Sequence, residues 1–242
     1  MSIINRRSVY YKDRELARTV KEEDYFARRS EILDASYRLV YTKGFDQMTV
    51  QDIIDELKIS KGAFYHYFNS KSEVLEALVE RIVDEIEPTL ISIVKDPHLS
   101  ALEKLQDYFE TANRWKSARK SLMLSLLKIW YADENAIVRQ KVFNSTLKRI
   151  TPWLTMIIQQ GIEEGVFKTK YPENICRMNV YLLQGLSDSF IEYLLIENSD
   201  GSQVIQAKQV LESYTDALER ILGAPNGSIR LMEDGALEQW FS

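Results

Sequence analysis

Apolar residues recur along most of this chain at intervals of three and four, and no two-residue alternation persists anywhere. That spacing gathers them on one face of a 3.6-residue helix and predicts an all-α protein. The first strong helix is predicted from about Asp24 to Lys43, with Ile32, Ser36, Leu39 and Val40 on one face and Gly44 as its stop. Thr49-Val-Gln-Asp52 has the form of a capping box, in which hydroxyl and carboxylate each satisfy an orphan N–H. It opens a short helix carrying Val50, Ile53, Ile54 and Leu57. Lys58-Ile59 makes a turn, and Ser60 caps a second short helix from Lys61 to Phe68. Asn69 breaks that helix, and Ser70-x-x-Glu73 caps a long one reaching about Pro88. After a loop at residues 95–98, helices are predicted over 100–116, 118–131, 135–164, 172–197 and 203–222. From Gly223 the chain reads as an irregular tail with one short final helical turn. The pattern divides the chain into an extension (1–23), a three-helix head (24–71), a larger helical domain (72–222) and a tail (223–242).

Composition narrows the class. A chain of 242 residues that is 45% hydrophobic can bury a substantial core. One cysteine, Cys176, excludes an internal disulfide and suits a buried small residue in a reducing compartment. Two histidines, His66 and His98, are too scattered for a zinc site, so no metal and no cofactor is expected. No stretch has the length of a membrane span and the N-terminus lacks a signal-peptide apolar run, so a cytoplasmic protein without a membrane partner is expected. No nucleophile elbow, metal spacing or phosphate loop points to an enzyme.

A net charge of −5 argues against a nucleic-acid binder until its distribution is considered. Residues 1–21 carry six basic residues, Arg6 and Arg7 among them, against Asp13 and Glu15, for a balance of +4. Residues 22–71 stand at −2 and the remainder at −7. A cationic end on an acidic body orients a protein toward phosphates.

Two short capped helices joined by a tight turn, with a longer helix before them, make a helix-turn-helix head whose second short helix enters the major groove. Its chemistry fits. Phe64 and Phe68, four apart, pin it to the core; Gly62 and Ala63 let the backbone approach DNA. Lys61, Tyr65 and His66 are left for phosphates and base edges, and the helix N-terminus suits a phosphate. The run from Thr49 to Lys71, and above all Ser60-Lys-Gly-Ala-Phe-Tyr-His-Tyr-Phe68, resembles the head of the tetracycline-repressor (TetR) family over Ile32–Leu78. The resemblance implies operator contacts from Thr49, Lys61, Gly62, Tyr65 and Lys71; Ser60, Ala63, His66 and Tyr67 of the same run are further candidates, as are Arg6 and Arg7 of the basic extension. It departs at Ala63, where the family often has threonine; at His66-Tyr67, whose usual order is reversed; and at Lys58, where a glycine is frequent, which implies a slightly different or mildly strained turn.

The middle helices are rich in large side chains, and Tyr108, Trp115, Met123, Trp130, Phe143 and Trp153 are candidates for an apolar ligand pocket or for plain core. On the last two helices, Leu182, Gly185, Leu186 and Ser189 with Leu211, Tyr214 and Leu218 form a stripe that reads as a dimer seam or as burial within one chain. The resemblance implies a homodimer on a pseudo-palindromic double-stranded DNA operator, acting as a repressor that a small hydrophobic or aromatic effector releases. The alternative is a DNA-bound regulator that recruits a protein partner without a small ligand.

Overall fold

In the computed structural model the backbone is described for residues 4–196, 202–233 and 235–241, and side chains from Glu22 onward except that of Glu134. All regular structure among the described residues is helical. The elements are α1 (Ile4–Lys43), α2 (Val50–Leu57), α3 (Lys61–Tyr67), α4 (Lys71–Lys95), α5 (Ala101–Ser117), α6 (Lys120–Trp130), α7 (Ala136–Glu163), α8 (Pro172–Leu194), α9 (Ser202–Leu222) and α10 (Glu238–Phe241). A 3₁₀ turn at Asp133–Asn135 leads into α7. The chain forms two compact units, and the boundary between them, at Leu78 and Val79, falls inside α4.

The first unit is built on Ile32, Ser36 and Val40 of α1, which are buried as their spacing predicts, together with Met48, Ile53, Phe64 and Phe68. Ser36 is accommodated because its hydroxyl donates to the Ile32 carbonyl at 2.7 Å. α2 starts on the expected capping box: the Asp52 N–H donates to Thr49 Oγ1 at 3.1 Å and the Thr49 N–H to the Asp52 carboxylate at 2.8 Å. At α4 the box is shifted. Glu73 N–H bonds the Ser70 hydroxyl, but the Glu73 carboxylate returns to Asn69, taking its backbone N–H at 2.7 Å and its side-chain amide at 2.9 Å. The turn between α2 and α3 hinges on Lys58, which ends α2 at φ 53°, ψ 41°. A left-handed lysine carries the strain that the departure from glycine implied.

In the second unit α5, α7, α8 and α9 enclose a core that includes Leu105, Leu154, Ile157, Cys176, Leu218 and Leu222. Ser100 and Glu103 form the predicted capping box of α5. After α7 the chain doubles back sharply: the Val166 and Phe167 N–H groups both donate to the Gly161 carbonyl, at 2.9 and 3.0 Å. The Phe167 ring then lies on Gly161 so closely that a Cβ there would stand 2.1 Å from a ring carbon.

Three expectations need correction. α1 begins at Ile4 rather than near Asp24, because residues 4–23 contain strong helix formers but no apolar stripe to reveal them. α4 passes through Pro88 to Lys95; Pro88 is exposed, so the missing N–H costs one hydrogen bond without burying an unpaired carbonyl. The tail ends in the short helix foreseen, but it is not merely an irregular extension. Ile229, Leu231 and Leu237 are buried, and the buried Glu219 carboxylate accepts the Gly227 and Ile229 N–H groups at 3.0 and 2.9 Å.

Substituting Gly161→Ala is expected to cost about 1–3 kcal/mol by expelling the Phe167 ring. Denaturant unfolding checks this: the midpoint should fall, and adding Phe167→Leu should recover part of the loss.

Candidate nucleic-acid interface

α3 is seven residues long and is held by one face. Phe64 and Phe68 are both fully buried, and the Arg29 guanidinium of α1 lies 4.5 Å over the Phe68 ring. The opposite face is open. Lys61, Gly62, Tyr65 and His66 are exposed and Ala63 is half-buried. A Cβ on Gly62 would meet nothing nearer than the Ser60 hydroxyl at 3.9 Å, so the fold itself does not demand glycine there. Its absence of a side chain matters only to something that approaches from outside.

The two cap hydroxyls differ in what they have left to give. Ser60 Oγ accepts the Ala63 N–H at 3.1 Å and keeps its proton for an acceptor. Thr49 accepts the Asp52 N–H and also donates to the Asp52 carboxylate at 2.9 Å. A phosphate therefore meets a ready donor at Ser60, whereas at Thr49 the proton must first leave Asp52. The Lys61 ammonium stands 6.0 Å from the Tyr65 ring, beside the N-terminal turn of α3. Lys71 is tethered elsewhere: its ammonium donates to the Asp46 carbonyl at 3.2 Å and lies 4.3 Å over the Phe45 ring, so it clasps the loop before α2.

His66 and Tyr67 meet a residue that the sequence reading did not single out. Tyr25 of α1 packs its ring 4.9 Å from Tyr67 and 5.7 Å from His66. Tyr67 is thereby half-buried while His66 remains at the surface. Tyr25 precedes the periodic apolar stripe of α1, and its partners lie some forty positions later, so no local pattern marks it. Arg38 and Lys43 of α1 also hold α2, through Glu56 at 2.7 Å and Asp52 at 2.7 Å. The side chains of Arg6 and Arg7 lie outside the described residues.

The residues proposed for a ligand pocket separate into two groups. Tyr108 is buried in the core of the second unit, and Phe143 and Trp153 pack half-buried against it. Trp115, Met123 and Trp130 are half-buried outside that cluster. Trp115 carries the Arg119 guanidinium 4.1 Å over its ring, and Arg119 pairs with Glu85 of α4. Of the expected seam, Leu186 and Leu218 are buried in the core of the single chain, in line with the second of the two readings given for that stripe. Leu182, Gly185, Ser189, Leu211 and Tyr214 are half-buried. Gly185 has a use within one chain, since the Tyr214 hydroxyl of α9 stands 2.8 Å from where a Cβ would be. No described helix is long and apolar enough to cross a membrane.

Comparison with known proteins agrees with this arrangement. Residues 32–78 match the family described as bacterial regulatory proteins, tetR family, and residues 121–197 match the tetracyclin repressor-like C-terminal domain. The HTH-type transcriptional regulator YfiR of Bacillus subtilis, described as uncharacterized, is 24% identical over 208 residues, covering 83% of this chain and 98% of YfiR. The HTH-type transcriptional repressor KstR2 of Mycobacterium tuberculosis is 28% identical over 145 residues, 59% of this chain and 70% of KstR2. Among solved structures, a TetR transcription regulator from Haloarcula marismortui superposes with a TM-score of 0.57 at 19% identity, over 81% of this chain and 97% of its own. SmeT in complex with triclosan gives a TM-score of 0.57 at 19% identity, over 84% and 94%. At these identities the two structures support the fold.

The Asp52 carboxylate is held at about 2, below its ordinary 3.8, by the Lys43 ammonium first, then by the Thr49 N–H and hydroxyl. A pKa lower in the folded than in the unfolded chain contributes stability above about 4, and that stability is lost as pH falls through about 2. Asp52→Asn is therefore expected to lower the unfolding midpoint at pH 7 and to flatten its pH dependence between 4 and 2. A denaturant titration at each pH tests this, and an unchanged slope would remove Asp52 from the acid response.

Proposed function

The chain belongs to the TetR family of helix-turn-helix transcriptional regulators, and on that premise we propose that it is a homodimeric repressor released from its operator by a small apolar ligand. One observation carries the DNA-binding part. The N-terminal turn of α3 presents Ser60, Lys61 and Gly62 to solvent on a helix whose other face is sealed by Phe64 and Phe68. Such a helix meets a major groove with its N–H groups and positive dipole end toward a phosphate and Tyr65 toward base edges or backbone.

The homodimer is supported by α8 and α9. Met178 and Tyr181 are about half exposed and lie at helical spacing with the half-buried Leu182, so the single chain leaves the first part of this apolar face of α8 partly open. A two-fold pair would set two copies of α3 about 34 Å apart on a pseudo-palindromic site. Ligand response is supported by the half-buried aromatic residues of the second unit and by its fold neighbour SmeT, which was solved with triclosan bound. The route from ligand to DNA runs through α4, since that helix belongs to both units. Arg149 of α7 pairs with Asp84 at 2.7 Å and with Glu87, and Arg119 pairs with Glu85, so two arginines grip one stretch of α4. A ligand that shifts these grips favours one setting of α4, and release requires that it bind that setting better.

With an operator obtained by selection from random DNA, Gly62→Val is expected to leave unfolding unchanged and to weaken operator binding at least about tenfold, roughly 1.4 kcal/mol. Lys61→Ala should weaken binding to all sequences alike and reduce the salt slope by about one. A Gly62→Val protein that binds as tightly as wild type would place the groove-facing surface elsewhere.

Removing residues 1–21 takes away a balance of +4. It is expected to lower affinity and the salt dependence of binding while the rest of the fold persists. Equal operator affinity at low salt for both lengths would make the extension inert toward DNA.

A further inference from the structure

After α9 the chain turns back over the second unit, and its two halves are held differently. The root is part of the core: Ile229 and Leu231 are buried in it, and the Glu219 carboxylate accepts the Gly227 and Ile229 N–H groups. The tip leaves that core. Leu237 is buried apart from it, and α10 is tied to two other helices by polar contacts. Glu238 pairs with Lys208 of α9 at 2.5 Å, and the Gln239 carbonyl accepts the Lys120 ammonium of α6 at 2.6 Å. The last carbonyls of a helix lack partners within it, so α10 has an acceptor to offer and Lys120 takes it.

These contacts bracket one corner of the fold. α5 ends at Ser117 and α6 begins at Lys120. On the α5 side, Asn113 donates to the Leu231 carbonyl at 2.6 Å and Arg114 stands 3.7 Å from Glu233. On the α6 side stands Lys120. The corner has little else to fix it: no side chain caps α6 at Arg119, and no residue of α6 belongs to the core that α5, α7, α8 and α9 enclose. Exposed polar contacts contribute little stability. Burial of Ile229, Leu231 and Leu237 keeps the tail in place, and the polar contacts then decide where the corner stands.

The position of this corner matters beyond the second unit's own packing. Arg119, with its guanidinium 4.1 Å over the Trp115 ring, is the residue that pairs with Glu85 of α4. It is the immediate neighbour of Lys120, so consecutive residues carry the tie to α4 and the tie to the tail.

We propose that the tip of the tail is a positioning strap for operator binding: it holds Lys120, which sets the corner between α5 and α6, and through Arg119 and Glu85 it keeps α4 in the setting that suits DNA. This rests on the DNA-binding reading above. It adds Lys120 and residues 235–241, none of which meets DNA, to the parts that set α4.

The test uses an operator selected from random DNA and two lesions. Deleting residues 235–242 removes the tip and leaves Ile229 and Leu231 in place, whereas Lys120→Met keeps the side-chain stem and removes the donor. Each is expected to weaken operator binding at least about fivefold with an unchanged salt slope. Lys120→Arg, which keeps a donor, should restore binding to within about twofold of wild type. In an Arg119→Ala background, compared at low salt where every variant binds, neither lesion should have a further effect, because the route to α4 is already cut. Lys120→Met binding as tightly as wild type would overturn the strap, and so would a full further loss in the Arg119→Ala background. A salt slope lowered by about one would make Lys120 a phosphate contact instead, which also overturns it. If the deletion does not fold, Lys120→Met and its cycle with Arg119→Ala decide alone. A wild-type chain for which selection recovers no operator would sink the DNA-binding reading itself; an operator complex indifferent to Lys120→Met sinks only the strap.

Discussion

Seven residues do not hold a helix in water, because nucleation costs more than so few hydrogen bonds return. The conformation of α3 is therefore borrowed from the burial of Phe64 and Phe68, one turn apart and both fully enclosed. Each is worth about 1.5–3 kcal/mol on burial, far more than the intrinsic propensity of Lys-Gly-Ala-Phe-Tyr-His-Tyr could supply. Anchoring by a single face has a geometric consequence. Gly62 and His66 lie on the side opposite the phenylalanines and are presented outward, and Lys61 and Tyr65 are exposed at the edges of the anchored face. The same burial that makes the helix possible decides which residues DNA can meet.

The remaining contacts of the first unit fix where that helix stands. Lys58 accepts a left-handed backbone so that α2 can end and Ser60 can begin α3 two residues later. α2 is set against α1 by Arg38–Glu56 and by Lys43–Asp52, the second of which also completes the α2 cap. α3 is set against α1 by Tyr25 and Arg29, and Lys71 ties the start of α4 to the loop before α2. Exposed ion pairs are worth little singly. Here they act on elements whose burial is already secured, so their effect is on angle and register more than on stability.

Much of this was legible in the sequence because helix starts carry local chemistry. Thr49 with Asp52, Ser60, and Ser100 with Glu103 all stand where the cap patterns placed them, and Lys58 shows the strain that its substitution for glycine implied. What failed was long-range or ambiguous. The extension of α1 to Ile4 has no stripe to betray it, and Pro88 reads locally as a stop although an exposed helix tolerates it. Tyr25 matters only through residues distant in the chain. Leu186 and Leu218 sit at seam spacing, but a spacing of three and four describes a helix face without saying whether the chain itself or a second copy covers it.

The second unit shows the same limit in its aromatic residues, and also what resolves it. Composition could treat Tyr108, Trp115, Met123, Trp130, Phe143 and Trp153 only as one set. Burial divides them, and hydrogen bonding goes further. Tyr131 is half-buried, and its hydroxyl donates to Asp188 at 2.5 Å; burial with that bond raises its pKa. Its polar end is therefore accounted for by the chain. Asn113 likewise meets the Leu231 carbonyl at 2.6 Å, and Glu219 meets the tail backbone, so these polar groups are consumed in closing the fold. Polar side chains with such partners have structural work within the molecule. Side-chain identity alone cannot separate Tyr108 from Tyr131; the presence or absence of a partner for the hydroxyl does.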